Sequence, residues 1–263
     1  MILNHCNFYS KVLQNHVDVN VLLPSMADND HFFHGLDEIY QERKIPVLYL
    51  LHGALDDYTM WLRHTNIERY AEKAGIAVVM PSGQNGFYSN ALYGLNYFDY
   101  ITQELPRFVE YTFPVSRRRE DRYIAGPSMG GYGASKCALA RPDLYAAFGD
   151  FSGAVDPEKL EPRMTQMGFG FFRYDLIFGG SDKVTGSRDD LKVLARSCAG
   201  LEEKPRAFVA CGVEDTNNYD MNRELYETLC ASGFEAEFMG GHGLHDWDYW
   251  DRCVRRFTES LAP

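Results

Sequence analysis

Five short apolar runs constrain the fold of this chain more than any other feature of its sequence. They are Val47–Leu51, Ala77–Met80, Tyr123–Ala125, Ala146–Phe151 and Ala207–Cys211. Apolar residues do not alternate with polar ones within these runs. Such unbroken runs are typical of strands covered on both faces, as in a parallel sheet. The segments between them resemble helices in pattern and boundaries: Asn66–Lys73, Tyr97–Tyr111, Tyr132–Ala140 and Met221–Ala231. This succession predicts an α/β fold with a mostly parallel, doubly wound sheet and helices on both faces.

The two ends of the chain extend this prediction. Val17–Leu23 alternates apolar and polar residues, as a half-exposed strand does, and we expect an antiparallel hairpin with the stretch from Asn7 to Ser10. Glu235–Met239 is expected to form the last strand and Trp247–Leu261 a closing helix. Within the helical segment that begins at Tyr97, Pro106 predicts a kink or a break, because proline removes a backbone donor.

The length and composition predict a single domain over residues 1–263. With 45% hydrophobic residues, the chain can bury one sizeable core. The segment 156–200 has no clear periodicity but contains several aromatic residues. We therefore expect a lid-like insertion there, because long irregular segments in compact domains are usually functional and aromatic residues argue against disorder.

A polar stretch between residues 25 and 44 contains four residues that could bind a metal. They are Asp28, Asp30, His31 and His34, and they follow no recognised ligand spacing. We therefore interpret this stretch as a solvated connection. No metal and no cofactor are predicted from the sequence.

The formal net charge of −11 restricts the class of partner. Such an acidic chain would repel phosphate backbones and anionic headgroups, so nucleic-acid and membrane partners are disfavoured, and a small-molecule substrate is expected. No signal peptide and no span long enough to cross a bilayer are expected. The six cysteines form no Cys-x-x-Cys pair and are expected to be reduced, as in a cytoplasmic protein. Whether the chain forms a homo-oligomer stays open.

The stretch G-P-S-M-G-G-Y-G, residues 126–133, is the strongest chemical signal in the sequence. It fits the pattern G-x-S-x-G between a predicted strand and a predicted helix. A sharp strand-to-helix turn exposes its central side chain, and neighbouring chain segments pass so close that only glycine fits at the flanking positions. The turn also places Ser128 at a helix N-terminus, which favours developing negative charge. Ser128 is therefore the candidate nucleophile, with an incidental serine in a glycine-rich turn as the alternative.

A serine nucleophile needs a base and an acid that orients the base. After Ser128 the only histidines are His242 and His245, both just beyond the last predicted strand. His245 is favoured as the base because it directly precedes the final helix, and His242 is the alternative. Asp215, after the strand that ends at Cys211, is favoured as the acid over its neighbour Glu214, although a helix cap or surface turn could also explain an aspartate there.

Attack on a carbonyl group produces an oxyanion that requires two hydrogen-bond donors. The backbone N–H of Met129, which follows the nucleophile, is the expected first donor. The second is expected from the loop after the strand Val47–Leu51, where the backbone N–H of Ala54 is the best candidate. His52 in the same loop is predicted to orient the loop rather than to act as a base.

The chain resembles the esterase D, or tributyrin-esterase-like, branch of the α/β-hydrolases over most of its length. This branch includes S-formylglutathione hydrolases and acetyl and feruloyl esterases. The matching stretches, besides the Ser128 turn, include L-L-H-G at 50–53, W-L-R at 61–63, T-N-I-E-R at 65–69, F-S-G-A at 151–154, C-G-V-E-D at 211–215 and H-D-W at 245–247. The resemblance implies an α/β-hydrolase fold, with Asp215 as the acid and His245 as the base.

The resemblance further implies a cofactor-free serine carboxylesterase that acts on short-chain acyl esters, with acetylated or feruloylated carbohydrates as candidate substrates. An S-formylglutathione thioesterase, acyl transfer to an acceptor other than water, and an inactive hydrolase-fold binding protein are the alternatives. Aromatic residues that could contact substrate are Trp61, Phe169, Phe171, Phe172 and Tyr174. For Trp61 burial in the core is equally plausible, and for the others packing within the insertion is the alternative.

Overall fold

The computed structural model describes residues 1–25, 34–39, 44–170 and 172–261. Eight strands in this part of the chain form one sheet in the order β1-β2-β4-β3-β5-β6-β7-β8. Their bounds are β1 Ile2–Ser10, β2 Asn15–Leu23, β3 Val47–Leu50, β4 Ala77–Pro81, β5 Arg122–Pro127, β6 Ala147–Phe151, β7 Arg206–Ala210 and β8 Ala236–Met239. Strand β2 is antiparallel to both of its neighbours, and the pairs from β4 to β8 are all parallel. The predicted fold class, with its N-terminal antiparallel hairpin, is confirmed.

The helices connect these strands and cover the sheet. They are α1 Leu36–Ile39, α2 Met60–His64, α3 Ile67–Ala74, α4 Tyr97–Asp99, α5 Leu105–Thr112, α6 Met129–Ala140, α7 Pro157–Gln166, α8 Tyr174–Phe178, α9 Leu191–Ser197, α10 Tyr219–Ala231 and α11 Trp247–Leu261. None of the helices in the described ranges is long and apolar enough to cross a membrane.

Two apolar clusters lie in the core. One contains residues of α5, α6, α9 and α10, and the other contains residues of α3 and α11. Successive side chains of β2 point to opposite faces of the sheet, so Val21 packs in the first cluster and Leu22 in the second. The central strands β3, β4 and β5 are buried along their whole length, which explains their unbroken apolar runs.

The helical segment around Pro106 is continuous rather than broken. A π-helical stretch, Tyr100–Glu104, joins α4 to α5, and Pro106 lies in the first turn of α5. The irregularity predicted at Pro106 thus takes the form of a change in helical winding rather than a break.

The segment 156–200 contains α7, α8 and α9, which the sequence pattern did not reveal. Helix α7 begins at an aspartate cap, since the Asp156 side chain accepts the backbone N–H of Lys159. Pro162 lies inside this helix, and because proline is unusual in a helix interior, the sequence pattern did not indicate a helix there. Helices α7 and α8 contribute residues to the cavity at Ser128, at the carboxyl end of β5, where α/β folds place their sites, and α9 packs against α6 and α10.

Candidate active site

Ser128 lies in a strained turn between β5 and α6. Its backbone has φ 52° and ψ −117°, a conformation that non-glycine residues rarely adopt. The turn is held from both sides, because the Ser128 N–H donates to Phe151 O at 2.9 Å and Tyr132 N donates to Ser128 O at 3.1 Å. Strain that is fixed in this way is typical of a functional position.

The glycines of the turn are required by close backbone contacts. A Cβ atom on Gly126 would lie 2.7 Å from the backbone of Gly130. A Cβ atom on Gly130 would lie 2.7 Å from the carbonyl oxygen of His52, in the loop after β3. The missing side chains therefore allow the Ser128 turn to pack directly against the loop that carries Ala54.

His245 lies between Ser128 and Asp215. Its Nε2 atom is 3.0 Å from Ser128 Oγ, and its Nδ1 atom is 2.7 Å from Asp215 Oδ2. An ionised carboxylate only accepts hydrogen bonds, so Nδ1 carries the proton and Nε2 is left to accept the Ser128 hydroxyl. The edge of the ring contacts Trp250, with ring centroids 5.0 Å apart. The three side chains thus lie in hydrogen-bonding sequence, an arrangement that suits a nucleophile, a base and an acid.

Asp215 is buried, and its side chain is only 2% exposed. Burial acts to raise the pKa of this carboxyl, but hydrogen bonds from His245 and Asn218 and the charge of His245 outweigh burial and hold the pKa below its usual value. Asn218 Nδ2 donates to Asp215 Oδ1 at 2.9 Å, and the Cys211 thiol lies 3.7 Å from Oδ2. Asp215 therefore stays ionised and fixed in orientation.

The alternative base and acid pair with each other instead. His242 Nδ1 lies 2.6 Å from Glu214 Oε1, and the His242 side chain is 95% exposed. Neither of the two lines the cavity at Ser128. The geometry of the described residues thus favours His245 and Asp215 over these neighbours.

Ala54 and Met129 both line the cavity at Ser128. Met129 is the first residue of α6, so its N–H has no acceptor within the helix. His52 fixes the loop that carries Ala54, because its Nδ1 lies 2.6 Å from Gly53 O and its Nε2 accepts the N–H of Gly83 at 2.7 Å. Burial lowers the pKa of His52 to about 4, so the ring is neutral and acts as a brace for the loop.

The cavity has a volume of about 350 Å³. Its wall away from Ser128 is largely apolar and comes mostly from the segment 156–200, through Leu160, Met164, Met167, Phe169, Phe172 and Tyr174. Phe169 and Phe172, which were predicted to contact substrate, both line this cavity, and their contact with substrate stays a prediction. Phe171, predicted with them, lies outside the described residues.

Trp61 does not line this cavity. It is 1% exposed, its Nε1 donates to Leu51 O at 2.7 Å, and its ring packs against Trp247 with centroids 5.1 Å apart. Of the two alternatives for Trp61, the structure therefore favours burial, because the indole extends into the core on the α11 face of the sheet.

Of the four potential metal ligands, His34 is the one that the structure describes. Asp28, Asp30 and His31 lie outside the described residues, and His34 Nδ1 lies 3.2 Å from Glu38 Oε2. No group of three or more metal-binding side chains occurs within the described ranges.

Several residues of the site were missed at the sequence level. Asn218 orients Asp215, and Asn222 binds both backbone groups of Gly153, beside the Ser128 turn. The pattern D-x-x-N at 215–218 is a local turn signal that could have indicated Asn218. Asp56, whose side chain lines the cavity beside Ala54, gave no signal that distinguished it from the adjacent Asp57.

The comparison with protein families matches residues 10–256 of the chain to one family model, described as "Putative esterase". The chain belongs to this esterase family. An acetyl esterase of Caldicellulosiruptor saccharolyticus is 29% identical to this esterase, over the whole chain and 98% of the relative. The protein is therefore an ester-hydrolysing enzyme.

Solved structures support the same assignment. The substrate-bound fluorophosphonate-binding serine hydrolase F (FphF) of Staphylococcus aureus is 30% identical, with a TM-score of 0.86 over 100% of this chain and 98% of the other. The S-formylglutathione hydrolase FrmB of the same organism is 31% identical, with a TM-score of 0.84 over 100% and 99% of the two chains. The α/β-hydrolase fold and the resemblance derived from the sequence are thus confirmed.

Proposed function

We propose that this esterase is a serine carboxylesterase that hydrolyses short-chain acyl esters through Ser128, His245 and Asp215. The observation that carries the proposal is the position of His245, with one ring nitrogen 3.0 Å from the Ser128 hydroxyl and the other 2.7 Å from a buried carboxylate. This arrangement supplies each role that acyl transfer needs.

Acylation begins with attack of Ser128 Oγ on the ester carbonyl carbon. The hydroxyl proton moves to Nε2 of His245 as the Oγ–C bond forms, and Asp215 stabilises the resulting imidazolium. When the tetrahedral intermediate collapses, the bond from the carbonyl carbon to the alcohol oxygen breaks, and His245 returns the proton to the leaving alcohol. The acyl group stays on Ser128.

The backbone N–H groups of Met129 and Ala54 are proposed to bind the oxyanion of each tetrahedral intermediate. Their placement is supported by the packing of Gly130 against the loop and by the brace that His52 provides. Loss of one such donor costs on the order of 3–4 kcal/mol of transition-state stabilisation in other serine hydrolases.

Deacylation repeats the same steps with water. His245 takes a proton from the water as its oxygen attacks the acyl carbon, and then returns a proton to Ser128 Oγ as the acid is released. The exposed side of His245, whose side chain is 36% exposed, gives water access to Nε2. Transfer of the acyl group to a sugar or another alcohol would use the same geometry, so product analysis with an added acceptor distinguishes the two outcomes.

Short acyl esters fit the dimensions of the site. A cavity of about 350 Å³ accommodates a small acyl group with part of an alcohol, and its apolar wall suits acyl or aromatic carbon. The acetyl esterase among the relatives supports acetyl esters as substrates. Acetylated carbohydrates remain candidates within that class, and the aromatic residues Phe169 and Phe172 keep feruloyl esters as candidates.

A thioesterase that acts on S-formylglutathione is the second candidate. It is favoured by the 31% identity to FrmB over nearly the whole of both chains. The same triad would serve a thioester, so the distinction lies in how the rest of the cavity receives the leaving group.

A substrate panel tests both candidates. The kcat/KM values for 4-nitrophenyl acetate, methyl ferulate, an acetylated xylo-oligosaccharide and S-formylglutathione would be compared for the wild type and for Ser128→Ala. We expect the highest value for an acetyl ester and no activity of the variant above background. A strong preference for S-formylglutathione would overturn the carbohydrate assignment, and full activity of Ser128→Ala would overturn the mechanism.

We also propose that the enzyme acts in the cytoplasm on small-molecule esters. All six cysteines are unpaired, and three of them, Cys137, Cys211 and Cys253, are completely buried, which suits a reducing compartment. The segment 156–200 is proposed to act as the part of the domain that shapes the substrate cavity.

A further inference from the structure

Asp56 lies in the turn that follows β3 and lines the same cavity as Ser128. The turn is tight: Leu55 adopts φ 69° and is exposed, while its N–H donates to Asn85 Oδ1 at 2.8 Å. Leu55 lies at the exposed edge of the cavity, whereas Asp56 is partly buried, and its Oδ2 would lie 3.2 Å from a Cβ atom placed on Gly53. The carboxylate is thus adjacent to the backbone of Gly53, one residue before Ala54.

The Asp56 carboxylate has no cationic partner among the described residues. Burial, and then the neighbouring charge of Asp57, raise its pKa to about 6, against the effect of the Gly53 N–H, which donates to it. Asp215 and His245 line the same cavity, and Tyr88 is close enough to interact with the Asp56 charge. At pH 8 Asp56 is therefore an unpaired negative charge in the cavity.

The surroundings of this charge strengthen its effect. The opposite wall is apolar, with Leu160, Met164, Met167 and Phe172, and Asp215 already has His245 as its partner. In a partly buried, weakly polar cavity, the interaction between two charges is several times stronger than it is in water. A second negative charge entering this cavity would meet no compensating cation within the described part of the chain.

We propose that Asp56 determines substrate specificity by rejecting esters that carry a negative charge and accepting neutral, hydroxyl-bearing or cationic ones. Its free carboxylate oxygens can accept hydrogen bonds from substrate hydroxyl groups, as acylated sugars would offer. The inference rests on the esterase function proposed above and narrows its substrate class. Glutathione thioesters carry carboxylates, so the same charge would disfavour the thioesterase candidate.

The adjacent Asp57 provides a matched control. It does not line the cavity, and its Oδ1 accepts the N–H of Thr59 at 2.7 Å and the Thr59 hydroxyl at 2.6 Å. Asp56→Asn and Asp57→Asn change the net charge by the same amount and at neighbouring positions. Any general effect of the acidic surface is therefore the same in both variants, and only a local effect in the cavity distinguishes them.

The experiment uses two pairs of esters that differ in charge. 4-Acetoxybenzoate and its methyl ester place the charge on the leaving group, and 4-nitrophenyl hemisuccinate and its methyl ester place it on the acyl group. The ratio of kcat/KM for the neutral ester to that for the anionic ester is measured at pH 8 for the wild type and both variants. Differences in intrinsic reactivity within a pair cancel when the ratios are compared between variants.

We expect Asp56→Asn to lower this ratio by about 10-fold or more in at least one pair, and Asp57→Asn to change it by less than about twofold. The pair that responds identifies which half of the ester lies beside Asp56. High salt should lower the wild-type ratio in the same pair, because screening weakens a charge effect but not a steric one.

The result that would overturn the inference is an unchanged ratio in both pairs for Asp56→Asn, or an equal change in Asp57→Asn. Failure of the proposed function gives a different result. In that case the wild type would hydrolyse even the neutral esters no faster than Ser128→Ala does. Asparagine can still accept the Gly53 N–H, so the loop is retained, and circular dichroism of each variant checks the fold.

Discussion

Glu214 Oε1 lies 2.6 Å from His242 Nδ1, on the exposed side of the loop that carries Asp215. One residue later, Asp215 forms the equivalent bond with His245 inside the site. Two carboxylates that are adjacent in the sequence therefore each pair with a histidine, and only the buried pair lies within hydrogen-bonding distance of Ser128. The turn directs the Asp215 side chain into the site and the Glu214 side chain toward solvent.

This difference predicts the outcome of two histidine substitutions. His245→Ala should abolish measurable ester hydrolysis, because it removes the only ring within hydrogen-bonding distance of Ser128 in the described structure, whereas His242→Ala should retain activity within about twofold. Steady-state hydrolysis of 4-nitrophenyl acetate by the two purified variants checks this. Loss of activity in His242→Ala alone would show that the base has been misassigned.

Asp215→Asn should lower kcat by about 10³- to 10⁴-fold without unfolding the protein. An amide in place of the carboxylate favours the wrong tautomer of His245 and cannot stabilise the imidazolium. Turnover should be compared with that of Glu214→Gln, which alters only the exposed pair. Near-normal turnover of Asp215→Asn would contradict the assignment of the acid.

Gly130→Ala should reduce activity at least about 100-fold. The added Cβ would lie 2.7 Å from His52 O, so the loop with Ala54 must move away from Ser128 and misplace one oxyanion donor. Gly200→Ala is the matched control, because a Cβ there contacts nothing within 4 Å. Comparable kcat values for the two variants would mean that the loop position is unimportant.

Asp150 predicts a pH dependence of stability. Burial is the main reason that its pKa rises to about 7, only partly offset by hydrogen bonds from Ser135 and Gly153. A carboxyl with a raised folded-state pKa binds more protons in the folded than in the unfolded state, so the contribution of Asp150 to stability is greatest below about pH 4 and is lost as the pH rises to about 7. The loss from this group is up to about 4 kcal/mol.

Asp150→Asn should therefore flatten the decline in the free energy of unfolding between pH 4 and pH 8. Urea denaturation across this range measures the slope, and Asp220→Asn, at an exposed position on α10, is the control. The same slope in Asp150→Asn as in the wild type would contradict a raised pKa.

The ion pair between Lys136 and Asp189 predicts that its loss destabilises the fold more than the loss of an exposed ion pair does. Lys136 is 5% exposed, donates to Ser89 Oγ and Asp189 Oδ1, and packs against aromatic rings. Asp189→Asn should destabilise the fold by about 3 kcal/mol, because it leaves a buried charge without its partner. Asp182→Asn, in the exposed pair with Lys183, should cost less than about 1 kcal/mol, and equal midpoints in urea would refute the difference.

The sequence predicted the sheet well because its signals are local. Five continuous apolar runs predicted β3 to β7 to within two residues at each end, and the closing helix Trp247–Leu261 was predicted with its observed bounds. The turn around Ser128 was equally accessible, because its glycines are required by contacts within a few residues and with one neighbouring loop.

The parts of the site that were missed depend on long-range packing. Trp61 has the same composition signal whether it faces the cavity or the core, and only the position of α11 decides that it packs against Trp247. Asp56 and Asp57 are indistinguishable in the sequence, and only the folded turn after β3 places Asp56 at the cavity and leaves Asp57 exposed. The cavity wall from α7 was obscured by Pro162, since the helix pattern there is interrupted.

The central claim is an activated hydroxyl on Ser128, and covalent labelling tests it most directly. The folded protein would be treated with a fluorophosphonate, and intact mass and peptide mapping would locate the label in the wild type, Ser128→Ala and His242→Ala. We predict one phosphonyl group on Ser128 in the wild type and in His242→Ala, and none in Ser128→Ala. A folded wild-type protein that stays unlabelled, or carries the label on another residue, would contradict the claim.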